Sequence, residues 1–149
     1  MIQRIQSLFL FLSAILLFIL FWFPLAVLQL DNETFYEIYT KGYIIDENVE
    51  YSYSLLIFNG ITFLLSLIII ILYKNRILQM RLCIYNFILI LGFQGIIFYA
   101  IYATAMNLKA ETFLEYYAIL PAIAAILHFI SFMYIKRDEE LVKSADRIR

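Results

Sequence analysis

The sequence predicts an all-α fold: a polytopic membrane protein whose four transmembrane helices form an up-down-up-down bundle with both termini cytoplasmic. Three observations carry this. Hydrophobic residues make up 64% of the 149 residues and charged residues 15%, against roughly 45–50% and 25% in a soluble domain, and mean hydropathy is +0.87. Charge is missing from four long stretches: 26 residues between Arg4 and Asp31, 23 between Glu50 and Lys74, 27 between Arg81 and Lys109, and 20 between Glu115 and Lys136. Each matches the roughly 20 apolar residues that carry a helix across a bilayer. Finally, with both termini on one side, that side holds nine Lys and Arg, while the other holds only Lys41 and Lys109. Such a bias puts the basic side in the cytoplasm.

The first span covers approximately residues 6–29. Its apolar run is too long for the core of a secretory signal, and Leu25-Ala26-Val27 is not a small-x-small cleavage site, so the helix is expected to be retained. The outer segment 31–50 carries six acids and one lysine. Thr34–Thr40 is rich in β-branched and aromatic residues, Lys41-Gly42 can turn the chain, and Tyr43–Ile45 can return as a second strand. A hairpin on the bilayer surface and an irregular acidic loop both stand as readings. Asn32-Glu33-Thr34 also matches a glycosylation acceptor pattern.

Spans 52–73 and 83–107 are joined by a short basic inner loop, 74–81, and a second short outer loop leads to the span 116–135. In the cytoplasmic tail 136–149, Leu141, Ala145 and Ile148 share a helical face, and Glu139 and Lys143 are spaced as an i,i+4 ion pair. The tail either extends helix four into the cytoplasm or bends along the membrane surface. Residues 1–149 read as one domain. A β-barrel is excluded because runs such as Leu67–Leu72 do not alternate.

These features also narrow the function. Net charge is −1, so there is no basic field for nucleic acid. A single cysteine, Cys83, excludes an intrachain disulfide or CxxC pair. No Asp, Glu, Lys or Arg lies within a span, which argues against ion-coupled transport and proton pumping. The polar residues at depth are Asn59, Thr62, Ser66, Asn86, Gln94, Thr104, His128 and Ser131. They are expected to bond between helices, with Asn59, Asn86, Gln94, His128 and Ser131 as an intramembrane cluster.

Gln94 and His128 fall at nearly the same depth on antiparallel helices and are expected to pair, with Gly92 and Gly95 admitting helix four. His128 and Ser131 share a face, but no acid at that depth can orient a catalytic dyad. A lone histidine does not complete a zinc site, so neither metal nor cofactor is expected.

Four segments carry a resemblance: Met1-Ile-Gln-Arg-Ile-Gln6 opening into a span, Phe23-Pro24 at its far end, Arg76-Ile-Leu-Gln-Met-Arg-Leu-Cys83, and Glu139–Arg149. Together they resemble a domain-of-unknown-function family of small four-helix inner-membrane proteins of Bacteroidetes. The resemblance implies a bacterial inner-membrane location and a four-span architecture, and brings no activity or ligand. The expected function is that of a non-catalytic accessory or assembly subunit acting through its cytoplasmic face. That face would draw on Gln3, Arg4, Gln6, Arg76, Arg81, Leu141, Ala145 and Ile148. The alternative is a small-solute or lipid-binding or transport protein with its site near Gln94 and His128. Expected partners are the lipid bilayer and another membrane or cytoplasmic protein.

Overall fold

The computed structural model describes the backbone of residues 3–30, 35–45 and 48–146, and the side chains of residues 5–30, 35–44 and 52–141. Among the described residues there are four α-helices, two short 3-10 turns and five strands. The fold is mostly helical. It is not all-α, because both connections at one end of the bundle contribute to a sheet.

Helix α1 (Gln3–Ile19) is 17 residues long, and the predicted span to residue 29 does not continue as helix. Phe21 and Trp22 donate to the carbonyls three residues back, which tightens the chain out of the α-helix. Pro24 lacks an N–H and biases Phe23 towards extended backbone. Thr40 Oγ1 then donates to the Leu20 carbonyl at 2.9 Å, satisfying a polar group that the helix end leaves free. Strand β1 (Ala26–Gln29) follows directly.

Strands β2 (Phe35–Tyr39) and β3 (Gly42–Ile45) form the hairpin that Lys41-Gly42 signals, and β4 (Asn48–Tyr51) extends it. Gly42 has a φ of 147°, a backbone region that side chains rarely adopt. The Asp31–Thr34 stretch, including the glycosylation pattern, lies outside the described residues.

Helix α2 (Tyr53–Ile71) leads through a 3-10 turn (Leu72–Lys74) into α3 (Arg76–Leu108). The expected inner loop 74–81 is therefore mostly helix. Ile77-Leu-Gln-Met-Arg81 are favourable or neutral helix residues, and Gln79 Nε2 donates to the Ile69 carbonyl at 3.0 Å. The basic residues there mark a change of solvent and leave the helix intact. At its other end α3 stops at Lys109, whose φ of 52° is left-handed. The N–H groups of Lys109 and Ala110 both reach the Ala105 carbonyl, a helix-ending pattern.

Strand β5 (Glu111–Leu114) and a 3-10 turn (Tyr116–Ile119) precede α4 (Leu120–Asp146). The tail therefore continues helix four through Asp146. The five strands form one antiparallel sheet in the order β4-β3-β2-β1-β5. Ala26, Leu28 and Ile38 turn one face onto the bundle, where they join Leu17, Leu20, Phe93 and Ala124 in the main core. A second cluster, Leu10, Ile69, Cys83 and Ile135, fills the opposite end. Cross-helix contacts run antiparallel between neighbours, with α1 and α3 each flanked by α2 and α4.

Candidate functional site

On α2, the buried residues Leu55, Asn59, Thr62, Ser66 and Ile69 form one stripe at helical spacing. Three of the five are polar. They point at the interior, while Ile57, Ile61, Leu64, Ile68 and Ile71 face outward at 42–71% exposure. A helix in water arranges its faces the other way round.

The polar stripe meets its partners at His128, which is fully buried. Ser13 Oγ of α1 lies 2.8 Å from His128 Nδ1. Asn86 Nδ2 of α3 lies 2.9 Å from Nε2, and Ser66 Oγ of α2 lies 3.4 Å from the same atom. One imidazole thus touches side chains from the other three helices. Asn86 Nδ2 also donates to the Thr62 carbonyl at 3.2 Å, which sets the orientation of the amide. An amide nitrogen only donates, so Nε2 accepts and the ring proton sits on Nδ1, facing Ser13 Oγ and the Ala124 carbonyl.

Around this hub three further side chains bond to the backbone of a neighbouring helix, while Thr62 and Thr104 bond back to their own. Asn59 Nδ2 donates to the Leu17 carbonyl at 3.1 Å, Ser131 Oγ to the Gln6 carbonyl at 3.2 Å, and Cys83 Sγ to the His128 carbonyl at 3.2 Å. Interhelical bonds of this kind typically contribute about 0.6 kcal/mol each in a bilayer. Their larger effect is negative: removing one partner strands a buried polar group at a cost of about 1–3 kcal/mol.

Gln94 is engaged elsewhere and does not pair with His128. Its Nε2 donates to the Ala118 carbonyl at 2.8 Å, and its Oε1 accepts from the Ala122 N–H at 3.0 Å. Those two backbone groups stand four residues apart at the start of α4, beside Pro121, where the helix ladder is incomplete. The Gln94 amide bridges them. Gly92 and Gly95 are exposed and make no close approach to a neighbour. Helix packing on that side comes from buried Ala118, Ala124 and Ala125 of α4.

Of the anticipated cluster, Asn86 and His128 meet directly, Asn59 lies one turn along α2 from Thr62, Ser131 joins α4 to α1, and Gln94 joins α3 to the start of α4. Ser13 was missed by reading the sequence. Its signal is a hydroxyl in the middle of a charge-free run, on a stretch otherwise filled with Leu, Phe and Ile. The Ser13–His128 contact has the atoms of a nucleophile and base. However, both residues are fully buried, and Ser13 also donates to the Ala124 carbonyl at 3.3 Å. Among the described residues no group of three His, Cys, Asp or Glu side chains could hold a metal.

The anticipated partner surface is mixed. Gln6 is 4% exposed and belongs to the interior, where its backbone carbonyl accepts from Ser131 Oγ and its Nε2 has no hydrogen-bond partner among the described residues. Arg76 Nη1 lies 3.1 Å from Asp138 Oδ2, tying the start of α3 to the far end of α4. Arg81 and Leu141 are exposed, Leu141 by 51%. In this tail the ion pair described is Lys136–Glu140 at 3.9 Å. The side chains of Gln3, Arg4, Lys143 and Ala145 and the whole of Ile148 lie outside the described residues.

Fold and site define a class: a four-helix bundle locked from inside by polar side chains and capped at one end by an antiparallel sheet. The chain belongs to the family described as a domain of unknown function (DUF4293), which matches residues 2–148. No curated protein and no solved structure matches the chain.

Proposed function

We propose that the chain is a non-catalytic, four-span protein of the bacterial inner membrane, with both termini cytoplasmic, acting as an accessory or assembly subunit through its cytoplasmic face. The observation that carries the membrane part is the inverted burial of α2, polar inward and isoleucine-rich outward. Three stretches, Tyr53–Lys74, Arg76–Leu108 and Tyr116–Leu141, are long and apolar enough to cross a bilayer. Helix α1 is shorter. It completes its crossing with the turn that follows, where Trp22 and Phe23 are exposed and suit the interface. Nine basic residues against two orient the termini inward.

Contact, rather than chemistry, is supported by how the polar groups are engaged. Both His128 nitrogens and both polar ends of the Gln94 amide are bonded within the bundle, which favours a structural role for these two residues; Asn86 Oδ1, on the amide beside His128, is the buried acceptor there without a partner among the described residues. Exposed Leu141 and Arg81 remain on the cytoplasmic rim as contact residues.

Two experiments test this. A cytoplasmic reporter fused after Arg149 is expected to be active, and one inserted near Asp46 inactive; the reverse pattern contradicts the orientation. Affinity purification in mild detergent is expected to bring down a defined partner that Leu141→Asp releases while the bundle stays folded. Identical compositions from the two proteins contradict the contact role.

A further inference from the structure

Strand β5 runs back along α3. Gln94 holds the Ala118 carbonyl and the Ala122 N–H, so the start of α4 is level with Gln94. From that level α3 continues to Leu108, a rise of about 21 Å at 1.5 Å per residue. The chain returns over this distance through β5 and the 3-10 turn Tyr116–Ile119. At about 3.3 Å per strand residue and about 2 Å per 3-10 residue, the segment is just long enough to do so. The strand therefore lies along the bundle axis.

As the last strand of the sheet, β5 pairs with β1 alone. Glu115 is extended and donates its N–H to the Leu25 carbonyl at 3.2 Å. An antiparallel ladder alternates, so Glu111, Phe113 and Glu115 turn their backbone groups to β1, and Thr112 and Leu114 turn theirs to the open side. Nothing blunts that side. Every residue of β5 is exposed, Phe113 by 52% and Leu114 by 59%, and neither a proline nor a bulge interrupts the register. An open edge with exposed apolar side chains is a template for another strand. Side chains alternate as well: Thr112 and Leu114 share the side of Leu28 and Ala26, while Glu111, Phe113 and Glu115 form the opposite row.

A second copy of the chain does not fit this edge. Antiparallel pairing through Thr112 and Leu114 would set Glu111 of each copy against Glu115 of the other, and like charges directly opposite are destabilising. Because β5 lies along the bundle axis, such pairing would also turn one bundle upside down relative to the other.

We propose that β5 takes up an extended segment of another protein as a sixth strand, and that this segment carries Lys or Arg two residues either side of an apolar residue. Thr112 and Leu114 exchange backbone hydrogen bonds with it. Its basic residues stand opposite Glu111 and Glu115, and its apolar residue covers Phe113. The pattern reads the same in both directions, so it suits a parallel or an antiparallel strand. This contact lies at the other end of the bundle from the cytoplasmic rim and goes beyond the role proposed above.

The test uses the full chain in phosphatidylcholine nanodiscs and two fluorescein-labelled peptides, Thr-Lys-Thr-Val-Thr-Lys-Thr and its counterpart with Glu in place of Lys. Fluorescence anisotropy is expected to show the basic peptide bound about tenfold more tightly, the ratio expected when two cross-strand charge pairs change from repulsive to attractive. Thr112→Pro removes an N–H that the β1 ladder does not use and is expected to abolish binding while circular dichroism stays unchanged. Should that variant fail to fold, the double variant Glu111→Lys, Glu115→Lys reads the same edge and is expected to reverse the preference to the acidic peptide. Absence of binding, equal binding of the two peptides, binding unchanged in a folded Thr112→Pro variant, or a preference that the charge variant does not reverse overturns the proposal.

Discussion

The bundle and its sheet cap obey opposite burial rules within one chain. In the sheet, Ala26, Leu28 and Ile38 face inward, while Glu37 and Tyr39 bond to each other on the other face at 2.8 Å. That is the order expected of a sheet between an apolar core and water. In the bundle, Asn59, Ser66, Asn86 and His128 lie in the interior alongside Leu10, Leu17 and Phe93, while Ile57, Ile61 and Leu64 are on the surface. Apolar burial is favourable only relative to water. Where the surroundings are themselves apolar, satisfying polar groups decides which face turns inward. The change of rule falls near the Thr40–Leu20 bond, which joins sheet to bundle.

The largest expected effect comes from making one substitution in both regions. Ile38→Ala under the sheet should cost about 2–5 kcal/mol, as for other core truncations, whereas Ile61→Ala on α2 should cost little. Unfolding in bilayer-mimetic micelles measures both, and equal costs would erase the distinction. Charge then reverses the ranking at Ile61. Ile61→Lys should carry an insertion penalty of about 2.5–3.5 kcal/mol, read as loss of protein from the membrane fraction; normal accumulation would mean that this face meets water.

A smaller effect compares the two polar contacts. His128→Leu removes the ring's bonds to Ser13 and to Asn86, and should lower stability by about 1–3 kcal/mol. Thr40→Val gives up one bond to a helix-end carbonyl and should cost about 1 kcal/mol. A reversed order in thermal denaturation would locate the critical polar contact at the sheet junction instead.

The smallest effect is a titration. Burial, and then the hydrogen bond that Tyr39 donates to Glu37 together with that carboxylate's charge, hold the Tyr39 phenol above its ordinary value of 10.0. Folding therefore favours the neutral phenol. The stabilisation is fully present below pH 10 and is lost as pH rises through the folded value. Glu37→Gln should move the Tyr39 titration down towards 10, measured as the tyrosinate absorbance difference from Tyr39→Phe. An unmoved titration would show that Glu37 does not govern it.

Some of this was legible in the residues. Charge-free stretches located the apolar regions, and turn chemistry at Lys41-Gly42 located the β2–β3 hairpin. Charge reports solvent, however, and says little about backbone shape. Strand β1 hides inside the charge-free run before Asp31, and its partners are β2 and the distant β5, which local spacing does not reveal. Helix α3 begins among basic residues for the same reason. In the site, the polar residues of α2, α3 and α4 were visible by type, but helix rotation was not. That is why depth alone pairs Gln94 with His128, whereas the rotation of α3 turns it to the gap beside Pro121; Ser13 of α1 is visible by type in the same way, and only the fold shows that it faces His128.

The inverted burial of the bundle is tested most directly by spin labels placed singly at Ile57, Ile61, Leu64 and Ile68 of α2, and at Glu111 on the sheet, in a Cys83→Ser background reconstituted into bilayers. Power saturation compares collisions with oxygen, which concentrates in lipid, against a water-soluble nickel chelate. The α2 positions should show high oxygen and low nickel accessibility, and Glu111 the opposite. Nickel access at Ile61 and Leu64 equal to that at Glu111 would contradict the account.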